Sequence, residues 1–155
     1  MLGLVFREFN RLGLWQWGEG SWALRPLERE IINRAITLMP EDQRDKAQAQ
    51  LGLRLFVERS NRMINVIRAY RPDPALRLSA EWHGTLIKVL MTVNGAKQMA
   101  NVTTYEGYLF TVEFRKPATF YKGKTIELGE AKLGNPGQSY TRLIDRAEHG
   151  RPENE

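Results

Sequence analysis

The sequence predicts an α+β fold: an antiparallel sheet of five or more strands, with two N-terminal helices and one C-terminal helix packed on it. Three observations carry that expectation. Residues Leu86 to Lys116 (LIKVLMTVNGAKQMANVTTYEGYLFTVEFRK) read as three β-rich runs joined by Asn94-Gly95 and Glu106-Gly107. The first of these pairs supplies the positive-φ residues of a type I′ turn and the second a weaker reversal. In the last run Tyr108, Phe110, Val112 and Phe114 alternate with Leu109, Thr111, Glu113 and Arg115, the two-residue period of a half-buried strand. Ahead of this meander, Leu27, Ile31, Ala35 and Leu38 recur at helical spacing behind Pro26, which a first helical turn tolerates.

The remaining elements follow in order. Leu2, Val5, Phe6, Phe9 and Leu12 fit a short amphipathic helix, with a strand as the competing reading. Trp15, Trp17 and Trp22 then sit in a glycine-broken segment that caps the core, lines a pocket or meets a partner. A core or subunit contact fits better than a membrane surface, because the preceding helix is short and carries few cations. Pro40 disfavours helical geometry at Met39 and starts a second helix, with Glu41 and Asp42 at its positive end, running to about Gln50. That helix is mostly polar, with only Ala47 and Leu51 as an inner face. Leu53, Leu55 and Val57 alternate with Arg54, Phe56 and Glu58, and a reversal at Ser60-Asn61 leads into a strand over Met63 to Tyr70, giving a hairpin. Arg71 to Ala80 is a loop. After Pro117, a short edge hairpin is expected through Lys122-Gly123, then a loop, a final helix capped by Ser139, and a frayed tail over residues 151–155.

A chain of 155 residues fits one ordinary core, so residues 1–150 are expected to form a single domain. There is no cysteine, which excludes disulfides, thiolate metal sites and a cysteine nucleophile, and suits a reducing cytoplasm. No signal peptide and no membrane span is expected. The net charge is +5. Six arginines fall between Arg54 and Arg77, against only Glu58 and Asp73. They form either a solvated strand face or a patch for an anionic partner, whether nucleic acid or an acidic protein surface.

Catalytic patterns are thin. His83, in EWHGT, would pair with Glu81 as an acid–base dyad on one strand face, or serve structure alone. No G-x-S-x-G elbow, G-x-G-x-x-G loop or Walker A loop occurs, so no cofactor is expected. Glu130-Ala131-Lys132, with Glu127 and the distant Pro72-Asp73, resembles the motif of the metal-dependent PD-(D/E)xK nucleases. Two carboxylates there would hold Mg²⁺ beside a lysine. The acidic element lies far upstream, however, and Gly129 interrupts the strand. The other reading is of exposed charges that protect a sheet edge. Phe56 and Tyr70, interleaved with arginines, give a sparse version of a nucleic-acid-binding surface.

The segment YEGYLFTVEFRKP, Tyr105 to Pro117, resembles strands of small bacterial immunity proteins encoded beside secreted toxins, including those of contact-dependent growth inhibition pairs. The resemblance is a strand pattern and carries no site residue. It implies a non-enzymatic protein that binds and neutralises a cognate toxin domain. Immunity proteins against basic nucleases are often acidic, so a +5 chain implies a partner with an acidic face or a largely apolar contact. The expected contact residues are Arg54, Arg59, Arg62, Arg68, Trp15 and Trp17, because Trp and Arg dominate interface energetics. A basic nucleic-acid binder is the alternative, and a homodimer through the tryptophan-rich segment is compatible with either.

Overall fold

The computed structural model describes residues 23–59 and 64–135. The helices expected over Leu2 to Leu12 and from Ser139, the tryptophans Trp15, Trp17 and Trp22, and Arg62 lie outside them. Helix α1 (Pro26–Ile36) starts on its proline, and the Glu28 carboxylate accepts the Arg25 N–H at 2.9 Å, so one of the free first-turn donors is satisfied. Its buried stripe is Leu27, Ile31, Ile32, Ala35 and Ile36. The stripe ends sooner than the spacing predicts: the helix stops at Ile36, so Leu38 points outward and Met39 is buried in its place. Helix α2 (Glu41–Leu51) follows Pro40, with Glu41 and Asp42 in its first turn.

Six strands form one antiparallel sheet: β1 (Leu55–Arg59), β2 (Ile64–Ala69), β3 (Leu86–Val93), β4 (Ala96–Tyr105), β5 (Tyr108–Phe114) and β6 (Ile126–Leu133), in spatial order β1-β2-β5-β4-β3-β6. The fold is therefore α+β, with α1 packed on the central and β6 side of the sheet. The meander expected between Leu86 and Lys116 is β3, β4 and β5, and β1 with β2 forms the expected hairpin. Both meander turns have two positive-φ residues: Asn94 (48°) with Gly95 (80°), and Glu106 (50°) with Gly107 (86°). Facing α1, strand residues Ile87, Val89, Ala100, Val102, Val112 and Phe114 fill the core.

Two local expectations are corrected. The strict alternation along β5 breaks, because Thr103 pairs with Thr111 while Thr104 pairs with Leu109, leaving Phe110 as the extra residue of a bulge. Leu109 thereby joins Val112 and Phe114 in the core, and Phe110 does not. Nor is the strand half-buried beyond the bulge: Thr111 and Glu113 are fully buried, with Asn101 Nδ2 3.3 Å from one Glu113 oxygen and Thr111 Oγ1 3.4 Å from the other. The hairpin expected at Lys122-Gly123 is absent. A one-turn helix, α3 (Ala118–Tyr121), precedes the Gly123 turn, and β6 pairs with the far edge of the meander at β3. Burial explains the change. Tyr121 is fully enclosed, with ring centroids 5.3 Å from Phe114 and 5.1 Å from Phe120, and a hairpin there would expose it.

A buried ion pair joins α1 to the β1–β2 edge. Arg59 falls on the same face of β1 as Leu55 and Val57, so its guanidinium enters the core. There Nε and Nη2 each lie 2.8 Å from a Glu28 carboxylate oxygen. Asn65 Nδ2 donates to the same carboxylate at 3.0 Å, and Arg59 Nη2 also donates to the Ala23 carbonyl at 3.0 Å. Burial, with the Arg59 cation adding to it, lowers the Arg25 guanidinium pKa from its ordinary value, while the Glu28 charge opposes the shift. Glu28→Ala leaves a buried guanidinium without its anion and should destabilise the protein by about 3–5 kcal/mol in urea unfolding. Glu28→Leu combined with Arg59→Met should recover much of that loss, and a double variant no more stable than Glu28→Ala would contradict this account.

Candidate functional site

Where the C-terminal end of α2 meets the β1–β2 hairpin and the β4–β5 turn, the surface opens into a cleft of about 190 Å³. Its floor is buried and mostly apolar, made by Leu51, Leu55, Ile67 and Leu109 with the side chain of Gln50 beside them. Leu53, Ala69, Tyr108 and Phe110 build half-buried walls, and Tyr105, Arg68, Pro72 and Glu106 stand exposed at the rim. The bulge shapes this surface. By taking Leu109 into the floor it leaves Phe110 against the exposed Tyr105 ring, with centroids 5.3 Å apart.

The β4–β5 turn that forms one wall is fixed by polar contacts from three residues, Gln50, Arg77 and Leu78. Gln50, near the end of α2, accepts the Leu109 N–H on Oε1 at 2.9 Å and donates from Nε2 to the Gly107 carbonyl at 3.0 Å and the Leu76 carbonyl at 2.7 Å. Leu78 N–H donates to the same Gly107 carbonyl at 2.9 Å, and Arg77 Nε donates to the Glu106 carbonyl at 2.8 Å. His83 supports the Leu78 end: its Nε2 is 2.9 Å from the Leu78 carbonyl, which can only accept, so Nε2 carries the proton. Only glycine fits at 107. A Cβ there would lie 2.7 Å from both His83 Nε2 and Arg77 Cγ, at a φ of +86°.

The sequence-predicted residues divide sharply. Arg54 and Arg68 are exposed beside the cleft. Arg68 lines it, its nearest carboxylate being Glu58 at 3.9 Å, and Arg54 lies 5.3 Å from the centroid of the Tyr70 ring. Arg71 lies 5.6 Å from that centroid, and Tyr70 itself is 59% exposed, between the cleft residues Ala69 and Pro72. Arg59 belongs to the core, so the exposed contact expected there is corrected by its ion pair with Glu28. Arg62, Trp15 and Trp17 fall outside the described residues.

The groups considered for catalysis hold local structure. Glu81 accepts the Ser79 hydroxyl at 3.2 Å, away from the His83 bond to Leu78. Asp73 accepts the Ala75 N–H at 3.0 Å, capping a short 3-10 turn. Glu127, Glu130 and Lys132 are exposed on the edge strand β6, with a register shift beside Gly129. Among the described residues no three His, Cys, Asp or Glu side chains gather as a metal site, and no helix is long and apolar enough to cross a membrane.

Gln50 is the residue sequence reasoning missed. Its signal was its place on the stripe of Gln43, Ala47 and Leu51, where a polar side chain has to find buried partners; Gln43 likewise accepts the Ser79 N–H, at 2.7 Å. Comparison with protein families, with curated proteins and with solved structures finds no match. The site is thus defined by its own chemistry: an apolar floor, aromatic walls and guanidinium groups concentrated at the β1–β2 end.

Gln50→Glu keeps the shape and the acceptor for Leu109 but removes the donor to two carbonyls. It should cost about 1–3 kcal/mol in urea unfolding at neutral pH. It should also speed hydrogen exchange at the Leu78 amide more than in the sheet centre. Unchanged stability would mean that the glutamine does not hold the turn.

Proposed function

We propose that this protein is a non-enzymatic binding module whose partner is another protein, and that the face around the cleft is its contact surface. The observation that carries the reading is the grouping of exposed Tyr70 and Tyr105 with Arg54, Arg68 and Arg71 around a preformed apolar cleft. Aromatic and arginine side chains beside an apolar pocket are the usual centre of a protein interface, because they add large buried area and forked hydrogen bonding. The resemblance of Tyr105 to Pro117 to immunity-protein strands narrows the partner. Part of that segment, Tyr105, Glu106, Tyr108, Leu109 and Phe110, lines the cleft. The reading is then of a bacterial, cytoplasmic immunity protein that binds and neutralises a toxin domain, as in contact-dependent growth inhibition.

Nucleic-acid binding is the weaker reading for a physical reason. A nucleobase stacking on Tyr70 competes with guanidinium groups already 5.3 and 5.6 Å from its ring centroid. Tagged protein drawn from its native host at moderate salt should bring down a stoichiometric toxin domain, identified by mass spectrometry. Joint Arg54→Glu and Arg68→Glu substitution should weaken that complex by on the order of 30-fold in titration calorimetry, with unfolding by urea unchanged. Unaltered affinity would remove this face from the interface. Recovery of RNA or DNA alone, released along a steep salt dependence, would replace the proposal with the nucleic-acid reading.

A further inference from the structure

The cleft has a definite size and an uneven rim, and together these specify what enters it. Pockets for drug-sized ligands run from about 300 to 1,000 Å³, whereas an apolar cavity of about 150 Å³ takes benzene. At about 190 Å³, the cleft lies just above the lower of these measures. Its floor is Leu51, Leu55, Ile67 and Leu109, and the amide of Gln50, which also lines it, is already bonded to Leu76, Gly107 and Leu109, so one apolar ring or branched chain matches it better than a polar group. Charge around the opening is distributed by side. Of the lining residues two are charged: Arg68 on the β2 side, with Glu58 3.9 Å from it, and Glu106 on the opposite turn, where Arg77 Nε donates to the Glu106 carbonyl. A side chain entering from a flanking backbone therefore meets the Arg68 guanidinium on one side of its Cα and the Glu106 carboxylate on the other.

We infer that the cleft is an anchor socket for a single aromatic side chain of the partner, with a carboxylate immediately beside it directed to Arg68. The inference rests on the proposed protein-binding function and specifies its central contact. The socket is ready-made: Gln50, Arg77 and Leu78 fix the turn wall, so the anchor enters without ordering a loop. The adjoining carboxylate supplies direction, since an exposed Arg–carboxylate contact contributes little energy but opposes the reversed orientation facing Glu106.

The test uses three small probes with the intact chain, read by methyl-resolved NMR of its leucine and isoleucine residues. N-acetylphenylalanine carries the ring and the adjoining carboxylate, N-acetylphenylalaninamide the ring alone, and N-acetylalanine the carboxylate alone. The first should shift the methyls of Leu51, Leu55, Ile67 and Leu109 with a dissociation constant on the order of 1 mM. The amide should bind about three- to tenfold more weakly, Arg68→Gln should erase the difference between the two, and N-acetylalanine should leave those methyls unmoved. Equal shifts from N-acetylalanine, or none from N-acetylphenylalanine at tens of millimolar, would overturn the socket. Shifts of the same methyls on raising protein concentration alone would place a second copy of this chain there and overturn it too. If the probes fail while Arg54→Glu with Arg68→Glu still abolishes toxin binding, the socket falls and the interface stands. If the probes bind but those substitutions leave toxin affinity intact, the protein-binding reading of this face falls and the socket with it.

Discussion

A buried charge is tolerated only when its countercharge cannot move away, and the Glu28–Arg59 pair places that condition at the junction of helix and sheet. The desolvation of two ions is offset only by near-ideal geometry. Here the fork is bidentate, the Arg25 N–H and Asn65 add two more donors to the carboxylate, and the Ala23 carbonyl takes a further guanidinium N–H. The consequence is positional. The β1–β2 hairpin is an outer element of the sheet, joined to the meander through β2 alone, and the ion pair gives it a second attachment, to α1. Leu55, Ile67 and Arg68 of that hairpin are cleft residues, so the pair fixes one side of the site without touching it.

The opposite side is fixed by a different chemistry for the same reason. A two-residue turn at a strand end frays unless its backbone groups find partners. The Glu106-Gly107 turn finds them in Arg77, Leu78 and Gln50, and the bulge at Phe110 carries Leu109 to where Gln50 can receive its amide. One glutamine therefore closes the angle between α2, the 3-10 turn ending at Leu76 and the meander. The apolar floor between these polar ties is left open because its edges are held, and a cleft of this kind does not have to be shaped by its occupant.

How much of this was legible in the sequence depended on whether the signal was local. The meander, both of its turns and the first helix announced themselves through period and through Asn-Gly or Glu-Gly pairs, which act over a few residues. The bulge did not, since an extra residue in β5 is defined only by its register with β4. The short helix at Ala118 to Tyr121 was missed because burial of Tyr121 against Phe114 outweighs local β propensity. Arg59 is the most instructive case. Its parity with Leu55 and Val57 marked it as facing inward, and Glu28 sits on the α1 stripe with Ile32 and Ala35, so both halves of the ion pair were on core faces. Reading the arginines as a cluster along the chain, without assigning each to a face, placed Arg59 on the surface. Arg54 and Arg68 are exposed; Tyr105 and Phe110 become site residues only when α2 and the hairpin come together around them.

The same separation of core from surface bears on whether the site binds or catalyses. Catalysis needs groups whose proton affinity or nucleophilicity is set by their surroundings and which face an open space. Glu28, Arg59 and Gln50 have their side chains engaged in holding elements together, and His83 bonds the Leu78 carbonyl through Nε2. The groups that face the cleft opening, Tyr105, Arg68 and Glu106, are exposed. Water-facing arginine and tyrosine around a dry floor favour association, because the floor gains from being covered while the rim orders what covers it. The division of labour, bonded polar ties inside and an apolar surface bordered by Arg68 outside, is the physical ground on which the proposed recognition role rests.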